Sequence, residues 1–123
     1  MNRAQNYFLA FVLALLISSL ACRALSGPDL VFTPNTLPQA QAGVPYEVEI
    51  QVSQNQTPAG NFYISEGNLP KGLKFEFLQG KDKARISGVP QESGAFTFKA
   101  SVWCYGTNVS GQKGEQEYTL EVK

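Results

Sequence analysis

Four stretches of this chain alternate between apolar and polar residues, and Gly or Pro interrupts nearly every window around them. Val44, Tyr46, Val48, Ile50 and Val52 fall on one side of a period of two, with Glu47, Glu49 and Gln51 on the other. Leu73, Phe75 and Phe77 alternate with Lys74 and Glu76 in the same way. Phe96, Phe98, Ala100, Val102 and Cys104 alternate with Thr97, Lys99 and Ser101, and Tyr118, Leu120 and Val122 with Thr119 and Glu121. A strand sends successive side chains to opposite faces, so this pattern buries one face and wets the other, as antiparallel sheets do. No stretch after Leu30 sustains helical periodicity. Shorter segments at Leu30–Thr33, Asn61–Ser65 and Ala84–Ser87 bring the total to about seven strands. Turn residues separate them at Gln54–Gly60, Gly67–Gly72, Gln79–Asp82 and Val89–Gly94, with a long polar loop over Gly106–Gln116. About seven short strands in roughly 100 residues predict an all-β antiparallel sandwich, large enough to stand without covalent staples.

The turns carry their own chemistry. In Asn68-Leu69-Pro70-Lys71-Gly72, Pro70 presets φ for the second position of a turn and Gly72 suits the fourth. In Gly88-Val89-Pro90, Gly88 is free to take a backbone conformation closed to other residues, and Pro90 ends the strand. The same blocks, LPQAQAGVPYEVEI (Leu37–Ile50), GNLPKGLKF (Gly67–Phe75) and RISGVPQESGAFTFKASV (Arg85–Val102), resemble the bacterial Putative Ig (immunoglobulin) repeat. That family is similar to the cadherin-like domain of dystroglycan, and the resemblance spans Leu30 to about Lys123. It implies an immunoglobulin-like fold and a place in adhesion, carbohydrate-associated or spacer roles. It says little about activity, because fold does not fix function.

The first residues read differently. Arg3 precedes an apolar run of eleven residues, Tyr7–Ile17, and Ser18, Ser19 and Ala21 then lead to Cys22. A charged start, a short apolar core and small residues at the end form a secretory signal layout. A membrane-spanning helix needs about 20 apolar residues, more than this run supplies. Ser19-Leu20-Ala21-Cys22 resembles a bacterial lipobox, which implies a lipid on Cys22 and a chain that begins there. The expected organisation is a signal peptide over 1–21, a tether over 22–29 and an immunoglobulin-like domain over 30–123. Ordinary cleavage, giving a soluble secreted protein, is the alternative. With Cys22 acylated, Cys104 stands alone as a small core hydrophobe; with Cys22 unmodified, a Cys22–Cys104 bridge is open to it.

Function classes narrow by composition. The chain has no histidine, ten basic and ten acidic side chains, and a formal charge of zero. Histidine-based catalysis and histidine metal sites are excluded, and nothing basic enough for nucleic acid is present. The carboxylate pairs Glu47/Glu49 and Glu115/Glu117 have the composition of an acid–base couple, but i, i+2 spacing reads first as the wet face of a strand. No enzyme and no cofactor are expected. No metal site is predicted, Glu115 and Glu117 being the least implausible calcium ligands in the absence of clustered aspartates. By parity, Trp103 and Tyr105 project opposite to Phe96–Cys104. A Trp beside a Tyr at a strand end, next to the loop that holds Asn108, is the candidate binding surface for a protein or glycan. A bulge that turns Trp103 inward, or burial of Trp103 under the loop, is the competing structural reading. Asn55-Gln56-Thr57 and Asn108-Val109-Ser110 also fit the glycosylation sequon. The sequence thus predicts a non-catalytic interaction or adhesion module, lipid-anchored at a bacterial cell envelope. A secreted carbohydrate-associated module and a structural envelope protein are the alternatives.

Overall fold

The computed structural model describes residues 3–20, 28–106 and 111–123. Arg3–Leu20 forms a helix, α1. No helix among the described residues is long and apolar enough to cross a membrane. Seven strands follow: β1 Val31–Thr33, β2 Tyr46–Ser53, β3 Ala59–Gly67, β4 Leu73–Leu78, β5 Lys83–Gly88, β6 Gly94–Cys104 and β7 Lys113–Val122. They build two antiparallel sheets, one in the order β1-β2-β5-β4 and the other β3-β6-β7. This is an immunoglobulin-like β-sandwich, as the alternation predicts.

The buried faces are the apolar halves of the sequence pattern. Ile50, Val52, Ala84 and Ile86 from the first sheet meet Phe62, Phe98, Ala100, Val102, Tyr118 and Leu120 from the second. Edge-on aromatic contacts run from Phe32 to Phe62 at 5.8 Å and from Phe62 to Phe75 at 5.6 Å, joining the layers. Such pairs add about 0.5–1.5 kcal/mol each beyond burial.

Between β1 and β2 the chain changes sheets. β1 pairs with β2, but Ala40 then lies parallel to Val122 of β7, with Ala40 donating to the Glu121 carbonyl at 2.8 Å and Ala42 to that of Lys123 at 2.7 Å. Two tyrosines fasten this crossing. The buried Tyr118 hydroxyl donates to the Pro34 carbonyl at 2.8 Å, and that of Tyr46 to the Pro38 carbonyl at 2.8 Å. Burial pushes both phenols up to about 12.

Several details differ from the sequence reading, among them β3, which extends over Ala59–Gly67 rather than Asn61–Ser65. Val44 is exposed and precedes β2 rather than joining it. β7 begins at Lys113, so the expected Gly106–Gln116 loop ends at Gln112; Lys113, Glu115 and Glu117 are solvated, and Gly114 leaves space that Leu30 and Phe32 occupy. The Pro70 turn is also shifted by one residue. Leu73 donates to the Pro70 carbonyl at 3.2 Å, which places Gly72, at φ 93°, third in the turn, where positive φ is required. Gly88, at φ 135°, behaves as expected, and its Cα faces the Gly72 carbonyl with no room for a side chain.

Register fixes what lies at each end. Val31 pairs with Ser53, Leu78 with Lys83, Ala59 with Cys104 and Trp103 with Lys113. The chain therefore joins the domain at the same end as the β2–β3, β4–β5 and β6–β7 connections. Lys123 and the other connections occupy the opposite end.

Candidate functional site

The outward residues of β6 are Thr97, Lys99, Ser101 and Trp103, and they share a face with Glu115 and Glu117 of β7 and Tyr63 of β3. Parity places Trp103 outside, and the structure keeps it there at 37% exposure. A register shift does occur, but on β3 between Ala59 and Asn61, not on β6. It leaves Gly60 beneath the indole, where any Cβ would overlap the six-membered ring. The missing side chain at Gly60 is thus the seat of Trp103. Tyr105 stands edge-on to it, with ring centroids 5.3 Å apart and planes at 84°.

The backbone of Tyr105 is held by the β2–β3 loop. Its N–H donates to the Pro58 carbonyl at 3.1 Å, and its own carbonyl accepts from Thr57 Oγ1 at 2.6 Å. That loop in turn depends on Asp82, whose Oδ1 accepts from the buried Ala59 N–H at 2.8 Å. Its Oδ2 accepts from Asn55 Nδ2 at 2.9 Å. Asp82 sits at φ 52°, a left-handed conformation that Asp tolerates better than most residues. Gln112 adds a second clasp at this end. Its Nε2 donates to the carbonyls of Pro28 at 2.7 Å and Gln54 at 3.1 Å, while its Oε1 accepts from the Gln56 N–H at 2.7 Å.

Beside Trp103 an open groove of about 540 Å³ is lined by Tyr63, Ser101, Trp103, Lys113, Gly114 and Glu115. Ser101 is buried and shares a hydrogen bond of 2.6 Å with Ser65 Oγ, while its own hydroxyl lies 3.5 Å from Glu115 Oε1. Lys99 pairs with Glu66 at 3.0 Å and with Glu115 at 3.8 Å, and its ammonium is held above the usual range by the hydrogen bond to Glu66. The groove therefore joins an aromatic wall to a short row of polar groups.

The remaining candidates fall as follows. Glu115 and Glu117 lie on this outer face, and among the described residues no group of three or more acidic, Cys or His side chains is gathered for a metal. Glu49 is engaged by Arg85 at 3.0 Å and Lys83 at 3.3 Å, chiefly the Arg85 hydrogen bond holding its carboxyl below the usual range. Cys104 is buried and makes no disulfide among the described residues, and desolvation pushes its thiol up, away from reactivity. Cys22 and Asn108 lie outside the described residues. Asn55, the first sequon position, spends its amide on Thr57 and Asp82. Gly60, Asp82 and Gln112 are not legible as site residues, because bulge, turn and loop positions carry no periodic signal; Tyr63 lies in the strand expected over Asn61–Ser65, but only the pairing of β3 with β6 brings it beside Trp103.

Residues 28–123 match the Putative Ig domain family. The chain belongs to that family. Among solved structures, the Ig domain is similar to a stretch of the endo-fucoidan hydrolase MfFcnA9 from glycoside hydrolase family 107. The TM-score is 0.60 at 20% identity, covering 80% of this chain and 17% of that one. A second endo-fucoidan hydrolase of that family, MfFcnA4 H294Q, matches with a TM-score of 0.59 at 20% identity, over 80% of this chain and 14% of that one. The chain thus spans less than a fifth of either hydrolase, and at this identity the likeness is one of fold. No curated protein matches the chain by sequence.

Proposed function

We propose that this protein is exported, held at a bacterial cell envelope by lipid on Cys22, and serves there as a non-catalytic interaction module. The apolar run Tyr7–Ile17 and the Ser19–Cys22 block support export and anchoring. The observation that carries the interaction role is the Trp103–Tyr105 pair. It is exposed beside Tyr63 on a sheet face whose other residues are mostly charged or hydroxylated. Exposed Trp and Tyr are the side chains that most often anchor contacts, since they offer much apolar area at little entropic cost.

A second reading is a secreted carbohydrate-associated module, favoured by the aromatic wall with Ser101, Lys113 and Glu115 along one groove. Fractionation separates the two. Expressed in a bacterium, the full chain should stay with the membrane pellet through high-salt washing and be released by detergent. Recovery from the soluble exported fraction would overturn anchoring and favour the secreted module. A third reading, a structural envelope protein without a ligand, predicts that replacing Trp103 and Tyr105 by Ala changes no contact while the fold persists.

A further inference from the structure

The end of the sandwich at which the chain joins the domain is also the end that carries its exposed aromatics. Pro28 is pinned by Gln112, Gln112 precedes Lys113, and Lys113 is the register partner of Trp103. Tyr63, opposite Ser101, lies one step further along the same face. Among the described residues of the domain, the exposed large aromatics are Tyr63, Trp103 and Tyr105, all in this half; the far end exposes only the aliphatic Val44 and Val89.

We propose that the Trp103–Tyr105 cluster seats in the headgroup layer of the membrane that holds Cys22. The proposal rests on the anchoring reading above and names the partner of that same surface. Lengths decide which end can touch lipid. From Cys22 to Pro28 there are six residue steps, a reach of about 20 Å at full extension. β6 runs from Gly94 to Cys104, so its two ends stand about 33 Å apart at ~3.3 Å per residue. A domain joined at Pro28 can lay its near end on the surface, and its far end stands well clear. The interfacial layer is about 5–8 Å deep on each side of the hydrocarbon, a depth that one Trp and one Tyr span. Trp and Tyr are the residues that prefer this layer, having apolar rings and a polar edge. Val31, exposed at the start of β1, and the exposed Lys81 and Lys113 stand at the same end, the lysines suited to anionic headgroups.

Trp103 is the single tryptophan of the chain, so its emission reports on this site alone. The full chain, purified from bacterial membranes in detergent, would be reconstituted into vesicles of phosphatidylcholine and phosphatidylglycerol, with and without lipids brominated near the headgroup. The expected result is flotation with the vesicles, a blue-shifted emission, and loss of most of that emission to the brominated lipid. A Trp103→Phe, Thr97→Trp variant moves the probe six residues toward the far end on the same face, where quenching should disappear. Flotation with Trp103 unquenched would overturn the lipid contact and leave anchoring intact, and a glycan that then shifts the emission would assign the groove to sugar. Equal quenching at both positions would overturn the orientation. Failure to float would overturn anchoring, and the lipid contact with it.

Discussion

Replacing Asp82 by Ala tests whether one turn residue holds the candidate site together. The Asp82 carboxylate accepts hydrogen bonds from the Ala59 N–H at 2.8 Å and the Asn55 amide at 2.9 Å. Ala59 is buried, so its N–H has no water to turn to, and leaving it unpaired costs about 1–3 kcal/mol. The Asn55 amide is only part-buried and regains solvent, adding about 0.5 kcal/mol. Alanine in the left-handed conformation at φ 52° adds about 1 kcal/mol. The expected loss is therefore about 2.5–4.5 kcal/mol, or a fall of roughly 1–2 M in the urea midpoint at a slope of about 2 kcal/mol/M. Asp82→Gly relieves the backbone and should cost about 1 kcal/mol less than Ala. Asp82→Asn keeps one acceptor for Ala59 and should cost least, about 1 kcal/mol. Urea denaturation followed by Trp103 emission and far-ultraviolet dichroism would measure all three. A loss under about 0.5 kcal/mol for Asp82→Ala, or Asn proving as costly as Ala, would refute the reasoning.

Four further outcomes follow from the same geometry. Tyr118→Phe strands the Pro34 carbonyl and should cost about 1 kcal/mol, lowering the thermal midpoint by several degrees. Because Tyr118 and Tyr46 have folded pKa values raised to about 12 from 10.0, their contribution is complete below pH 10 and should be lost as pH rises from 10 to 12; a flat alkaline stability profile would contradict this. Gly88→Ala should destabilise by more than about 2 kcal/mol, since the new Cβ meets the Gly72 carbonyl at a φ unfavourable to alanine, whereas Gly80→Ala, with open space around it, should cost only its φ penalty. Gly60→Ala should lift the indole off β3, shifting Trp103 emission to the red with little change in midpoint, because no core residue moves.

Much of this was legible in the residues themselves. The period-two runs of β2, β4, β6 and β7 report burial directly, since every second side chain faces the core. Parity also placed Trp103 outside, because β6 keeps its register past Ser101. What stayed hidden has no period. The first half of β7, Lys113–Glu117, looks like loop because Gly114 and Gln116 occupy inward positions and Leu30 with Phe32 supply the apolar contact at Gly114 from elsewhere in the chain. β3 reads short because its pairing with β6 slips at Gly60 and again near Ser65. The Asp82 and Gln112 clasps join residues far apart in sequence, and an Asp in a turn or a Gln in a loop looks ordinary until the loops meet. The sharing of one end between Pro28 and Trp103 likewise follows from strand pairing, which no single segment encodes.

Anchoring at the envelope is the claim on which the functional reading stands, and the intact mass of the mature protein tests it most directly. The predicted species begins at Cys22 and carries a diacyl or triacyl addition. An unmodified chain beginning at Leu25, or one retaining Met1, would contradict it.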